Sequence, residues 1–260
     1  IVEIHRLHTS CDRVQGTNKA ECWRRRTATF MILGDVGTRS CRFCATQTGK
    51  PLPPDPGEPE SIADSIRIMG LKHAVITSVT RDDLEDGGAS HWAGVIRAVR
   101  RSNPDITIEI LIPDLDGRPE LIDIILEAAP DIVGHNIETV ARLTPHIRSR
   151  ARYGVSLETL RHIASRGFVA KSGIMLGLGE NEDELFAAMD DLADAGCKIL
   201  TLGQYLQPTR GHVPVQEYVT PGKFEFYGDI ARMRGFTYVA SGPLVRSSYM
   251  AEQALGELKK

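Results

Sequence analysis

The stretch "GDVGTRSCRFC", Gly34 to Cys44, carries two cysteines separated by two residues, directly after the apolar run "ATFMILG". Thiolates so spaced on one loop can grip a single metal centre. A third ligand would be wanted four positions before Cys41, and Gly37 stands there. Upstream lie Cys11 and Cys22, so four of the five cysteines fall within the first 44 residues. In a chain of 260 residues this crowding argues against disulfide staples and for metal or redox chemistry in a reducing compartment. The fifth, Cys197 in "ADAGCKIL", is expected to pack as a small, inert apolar residue.

Two metal readings stay open on the cysteines themselves. Cys11, Cys22, Cys41 and Cys44 could close one tetrahedral zinc centre. Against it, ten residues separate Cys11 from Cys22, whereas structural zinc ligands come in pairs with roughly two to four between them. The sharper reading is an iron–sulfur cube: when the protein supplies three of its four ligands, one iron keeps an open position.

Other polar groups recur in short clusters. Asp82, Asp83 and Asp86 follow Arg81 and end in Gly87-Gly88; a solvated turn before a helix is their bland reading. His135, Asn136 and Glu138 follow an apolar run, His135 with the character of a satisfied core histidine. Arg150 and Arg152 in "SRARY" could grip a carboxylate by a bidentate fork, with plain exposure the rival for one of them. "GLGE", Gly177 to Glu180, permits close backbone approach to a ligand. Gln204, Tyr205, Arg210 and His212 share one further loop.

Short β-branched runs position these clusters: "HAVITSV", "ITIEILI", "DIVGHN", "FVAKSGIMLG", "KILTLG" and "FTYVASG". Between them lie amphipathic stretches at roughly 60–70, 89–102, 118–128, 138–144, 156–166, 181–195 and 221–234. Ser156 reads as a helix start before "LETLRHIA", and "NEDELFAAMDDLADAG" opens acidic and stops at Gly196. Prolines make "GKPLPPDPGEPE" a stiff, irregular connection. Such alternation predicts a parallel sheet with crossover helices. With "ATFMILG" there are six or seven βα units, enough for a full or partial barrel, with a doubly wound open sheet as the alternative. No G-x-G-x-x-G follows an early strand, which disfavours a dinucleotide site. Each polar cluster falls just after a run, where parallel α/β folds carry their chemistry.

Composition sets bounds on this picture. Apolar residues at 42% and charged residues at 25% are ordinary for a globular enzyme. A net charge of −3 favours neither nucleic acid nor a membrane surface, and no apolar run approaches the ~20 residues of a bilayer span. The chain starts at Ile1, so an N-terminal piece is expected to be missing from it.

The quoted blocks resemble one family. Gly37-x3-Cys41-x2-Cys44, with Phe43 before the last cysteine, is similar to the C-x3-C-x2-C loop of radical S-adenosylmethionine enzymes. "LHTSCDRVQGTNKAECW", "TSVTRDDLEDGGASH", "HNIETV", "SRARYGVSLETL", "KSGIMLGLGE", "LTLGQYLQPTRGH" and "SGPLVRSSY" resemble, in order, blocks of the lipoyl synthases. Similarity runs from "LHTSC" to "RSSY", essentially the full length.

The resemblance implies a partial (β/α) barrel of TIM type over 28–242. It adds an N-terminal auxiliary-cluster arm over 1–27 and a C-terminal segment, 243–260, that cover the mouth. It implies two 4Fe–4S clusters and S-adenosylmethionine. One cluster would sit on Cys41 and Cys44, the other on Cys11, Cys22 and Ser248, with Ser247 as second choice. Asn136, Glu138, Arg150, Arg152 and Asp83 would hold the cofactor. The implied reaction is radical sulfur insertion at the sixth and eighth carbons of a protein-bound octanoyl-lysine. Implied partners are octanoylated lipoyl carrier domains (2-oxoacid dehydrogenase E2 or glycine cleavage H protein) and an electron donor such as ferredoxin or flavodoxin. Nucleic acid and membrane are not expected, and the implied compartment is cytoplasmic, mitochondrial in a eukaryote.

This sequence departs from the family pattern at two positions: Gly16 and Gly37 stand where a cluster thiolate belongs. Glycine offers no side-chain ligand, and the neighbouring carboxylates Asp12 and Asp35 are poor matches for iron–sulfur. Impaired activity is the expectation. The rivals are an inactive relative that only docks lipoyl carrier domains, and the four-cysteine zinc protein.

Overall fold

The computed structural model describes residues 8–9, 26–248, 253–254 and 256. Expectations for Cys11, Gly16 and Cys22 lie outside the described residues. The chain divides into two compact units, one holding Thr46–Val133 and the chain up to Arg39, the other Ser40–Ala45 and Gly134 onward.

In the first unit β1 (His8–Thr9) runs antiparallel to β2 (Thr27–Ile32). β2 pairs in parallel with β5 (His73–Ser78), and β5 with β6 (Thr107–Leu111). Every residue of β2 is buried, its two threonines Thr27 and Thr29 included. A small parallel pair, β3 (Val36–Gly37) with β4 (Gln47–Thr48), follows β2. Helices α1 (Glu58–Met69), α2 (Ala89–Ser102) and α3 (Pro119–Leu126) connect the strands. Pro59 falls in the first turn of α1, where a missing N–H costs nothing, so the helix begins inside the proline-rich connection. Trp92 and Ile96 of α2 and Ile62 and Ile66 of α1 are fully buried with Ile76 and Ile108 of the sheet.

β7 (Ile132–Gly134) carries the chain from one unit to the next. In the second unit β8 (Val169–Leu176), β9 (Ile199–Gln204) and β10 (Tyr238–Gly242) are parallel neighbours in chain order. Helices α4 (Thr144–Ile147), α5 (Tyr153–Ser165), α6 (Glu182–Asp194) and α7 (Pro221–Met233) complete it. The acidic start of α6 is a capping box: Asn181 accepts from the Glu184 N–H, and Glu184 accepts from the Asn181 N–H. Phe186 of α6 meets Phe226 and Tyr227 of α7 at centroid distances of 6.4 and 6.2 Å.

Two local expectations fail. Residues 138–144 form no helix; only Thr144–Ile147 does. Glu138 sits at φ 68°, left-handed, with its N–H bonded to the Gly173 carbonyl (3.1 Å) and its carbonyl to the Met175 N–H (2.9 Å). Bridging to β8 outcompetes the local helical pattern. Ser156 does not start α5, which begins three residues earlier with Arg152 as its cap. Buried inside the helix, Ser156 bonds His135 instead.

Candidate functional site

In the first unit the loop after β5 is dominated by ion pairs. Arg39 bridges two carboxylates: Nε and Nη2 donate to Asp82 (2.8 and 2.7 Å), and Nη1 to both oxygens of Asp114 (2.8 and 2.9 Å). Burial pushes this guanidinium down, but the two acids outweigh it and raise its pKa above the ordinary value. Thr38 ties in alongside, its hydroxyl 3.1 Å from Asp82 Oδ2 and its N–H 3.0 Å from the Thr80 carbonyl. Arg81 grips Asp83 through two bonds of 2.9 Å, and that hydrogen bond above all holds the Asp83 carboxyl below the usual range. Asp86 accepts from the Gly88 and Ser90 N–H groups, securing the start of α2. The acidic cluster is thus a built framework rather than a solvated turn.

In the second unit Cys41 and Cys44 are half-buried and not joined in a disulfide. Cys44 N–H donates to the Cys41 carbonyl at 3.1 Å, which closes the turn between them. Two outside segments hold it: Arg42 N–H donates to the Ile147 carbonyl (2.9 Å), and Val213 N–H donates to the Arg42 carbonyl (3.0 Å). His212 Nε2 donates to the Cys44 carbonyl (3.0 Å) while its Nδ1 meets Thr209 Oγ1 at 2.8 Å. Buried Tyr205 anchors the same strap by donating to the Val213 carbonyl at 2.7 Å. Gln204 is also structural: its amide donates to the Leu176, Tyr205 and Glu217 carbonyls, and its carbonyl accepts from the Val219 N–H. Arg210 stays exposed.

Two thiols are one short of a cluster loop. Among the described residues no three His, Cys, Asp or Glu side chains gather to hold a metal ion. Gly37, buried in β3, has ordinary backbone angles; a Cβ there would meet Thr80 Oγ1 at 3.5 Å and Val79 Cβ at 3.6 Å. The backbone accepts a side chain at this position, but the residue supplies no donor. The present donor set therefore does not fit a cube held by three protein thiolates.

A second polar assembly of this unit lies beyond β7 and over β8. Asn136 donates to the Glu138 carboxylate, whereas its own Oδ1 is buried with no hydrogen-bond partner. That orphaned oxygen stands over Gly173: an added Cβ would come within 2.9 Å of it and within 2.6 Å of Thr201 Oγ1. Only glycine leaves this gap. Burial pushes the Glu138 carboxyl above its ordinary pKa, opposed by nearby Arg148 and by Asn136. Arg148 Nη1 donates to the Asn136 and Ile137 carbonyls (both 3.3 Å) and to Ser156 Oγ (3.1 Å). The assembly presents an unspent acceptor and a carboxylate, a match for a ligand bearing hydroxyl or ammonium donors. On this donor chemistry the residues fit the nucleoside or amino-acid part of S-adenosylmethionine.

Arg150 and Arg152, expected at the cofactor, are exposed, Arg152 at the α5 cap. Asp83 belongs to the first unit and is engaged by Arg81. Ser247 and Ser248 are half-buried after β10, while the helix start expected of Ser247 runs into residues outside the description. Sequence reasoning missed Arg148, Gly173 and Thr201. Gly173 lies inside the quoted block "KSGIMLGLGE", which is signal of a kind; Arg148 is one of three arginines in "RSRAR" with nothing local to single it out. Cys197 is buried as expected, and burial lifts its thiol to about 12.

Comparison with known proteins places the chain. The model of the radical SAM superfamily matches residues 31–192. A lipoyl synthase of Parabacteroides distasonis is 60% identical over 253 residues, covering 97% of this chain and 90% of the relative. One of Bacteroides fragilis is 58% identical over 253 residues, covering 97% and 88%. Among solved structures, Streptococcus suis SuiB bound to S-adenosylmethionine aligns with TM-score 0.63 at 10% identity, covering 85% of this chain and 52% of SuiB. At that identity the likeness shows the fold alone, an α/β partial barrel. Extended identity at this level disfavours the zinc reading. This chain belongs to the lipoyl synthase family of the radical SAM superfamily.

Proposed function

We propose that this chain is a sulfur-inserting transferase of the lipoyl synthase type, acting on an octanoyl group carried on the lysine of a lipoyl carrier domain. The observation that carries the reading is 60% identity to a lipoyl synthase across 97% of the chain. S-adenosylmethionine is the cofactor, and when bound it supplies the group that takes hydrogen from the acyl chain. Asn136 and Glu138 receive its hydroxyl or ammonium donors, because the Asn136 acceptor is otherwise unspent. Gly173 leaves room for the approach. Arg150 and Arg152 are exposed cations whose guanidinium forks suit its carboxylate. Asp83 acts at one remove, through its ion pair with Arg81.

Cys41 and Cys44 are the thiolates of the radical-forming loop, and Cys11, Cys22 and Ser248 the donors of an auxiliary one in the arm 1–27 and the C-terminal segment. Each set lacks one thiolate, at Gly37 and Gly16. Cluster loading therefore limits this chain, and restoring either cysteine raises it. The partners are octanoylated carrier domains and a low-potential electron donor. No described helix is long and apolar enough to cross a membrane.

Anaerobic reconstitution tests the reading. Iron, sulfide and lipoyl product on an octanoylated carrier are measured for the chain and for Gly16→Cys with Gly37→Cys. Product from the restored form supports the reading; full cluster content with carrier binding and no product favours the docking-only relative, which the two lost thiolates recommend. Iron and sulfide unchanged by the replacements would overturn the ligand assignment.

A further inference from the structure

Arg148 stands apart from the other basic residues of its stretch. It is half-buried, whereas Arg150 and Arg152 are exposed. It follows α4 directly, and its guanidinium reaches back to the end of β7 and across to α5. One nitrogen, Nη1, lies within 3.3 Å of the Asn136 and Ile137 carbonyls and 3.1 Å from Ser156 Oγ. Ser156 Oγ in turn meets His135 Nε2 at 2.9 Å. Three consecutive residues, His135 to Ile137, are thereby tied to one cation, whose charge also acts on a fourth, Glu138. Glu138 carries the left-handed backbone, φ 68°, a conformation costing of order 1–3 kcal/mol for a residue other than glycine. Strain of that size persists only where the surroundings over-determine it.

We propose that Arg148 is the positioning residue of the cofactor cradle: by clamping the Asn136 and Ile137 carbonyls against Ser156 it fixes the turn that presents Asn136 Oδ1 and the Glu138 carboxylate above Gly173. It acts through Glu138 and Asn136 rather than on the ligand. The inference rests on the reading of this cradle as the S-adenosylmethionine site. Its positive charge serves as well as its shape, since it opposes the burial that raises the pKa of the Glu138 carboxyl.

Equilibrium binding of S-adenosylmethionine to the purified full chain, by calorimetry, tests it, with thermal midpoints recorded for every variant. Arg148→Met is expected to weaken binding about tenfold, Arg148→Lys to recover part of the loss, and Ser156→Ala to weaken it less than Arg148→Met. Glu138→Gln with Arg148→Met is expected to lose less than the sum of the two single losses, because Arg148 works in part through Glu138. Additive losses in that pair, or undiminished affinity in a folded Arg148→Met, would overturn the assignment while leaving the cradle intact. Absence of binding by the unaltered chain would remove the cofactor reading itself, and the inference with it.

Discussion

His212 donates from Nε2 to the backbone carbonyl of Cys44 at 3.0 Å, joining residues 168 positions apart. With the Val213 N–H on the Arg42 carbonyl, it straps one rim segment of the second unit across the cysteine turn. The turn is thereby held by protein bonds to a distant segment. On the other side of the ring, Nδ1 meets Thr209 Oγ1 at 2.8 Å. Both ring nitrogens are in use.

His212→Ala removes one bond of the strap. Loss of one such bond costs about 1 kcal/mol locally, so alkylation of Cys44 by iodoacetamide should quicken about fivefold. Cys197 is the internal control, since burial holds its thiol near 12 and keeps it unreactive at neutral pH. An unchanged Cys44 rate would show that the strap is idle.

Gly37→Cys should fold without penalty, with a midpoint shift equivalent to less than about 1 kcal/mol, because a Cβ there meets only contacts of 3.5–3.7 Å. Iron content after anaerobic reconstitution should rise in the same variant. Thermal melts and iron assays check the two halves separately.

Arg39→Met should destabilise by about 3–5 kcal/mol in urea unfolding. Its side chain is 5% exposed, and the carboxylate of Asp114, at 3%, would lose the cation that offsets its burial. Pairing the change with Asp114→Asn should restore part of the loss.

Gly173→Ala should cost about 1–3 kcal/mol and eliminate S-adenosylmethionine binding. The added methyl would lie 2.6 Å from Thr201 Oγ1 and 2.9 Å from Asn136 Oδ1. Calorimetry at a temperature where the variant remains folded separates the effects.

Glu184 provides a pH marker remote from the thiols. Its carboxyl is lowered to about 2, first by the Arg142 hydrogen bond and then by the Asn181 N–H. A depressed folded value means that the stabilisation is whole above the unfolded pKa of about 4.3 and disappears as pH falls towards about 2. Thermal midpoints of the chain and of Glu184→Gln should differ at pH 7 and converge across that window. A gap independent of pH would refute the ion pair's role.

Much of the fold was legible because strand and helix periods are local properties of the chain. The alternation of apolar runs with amphipathic stretches announced β5 to β10 and the long helices between them, and the acidic opening after Asn181 announced a real capping box. Cysteine spacing singled out the loop at Cys41 and Cys44, and the missing donor at Gly37 was readable by eye. Tertiary approach alone decided the rest. Residues 138–144 keep a helical pattern, yet Glu138 turns left-handed because Gly173 and Met175 offer its backbone partners that no local helix can match. Ser156 looks like a cap, yet His135 and Arg148 claim its hydroxyl once α5 packs down. Arg148, Gly173 and Thr201 become a site only when β7, β8 and β9 lie side by side. Side-chain chemistry and short-range periodicity are written in order along the chain; hydrogen bonds between residues tens of positions apart exist only after the chain has closed on itself.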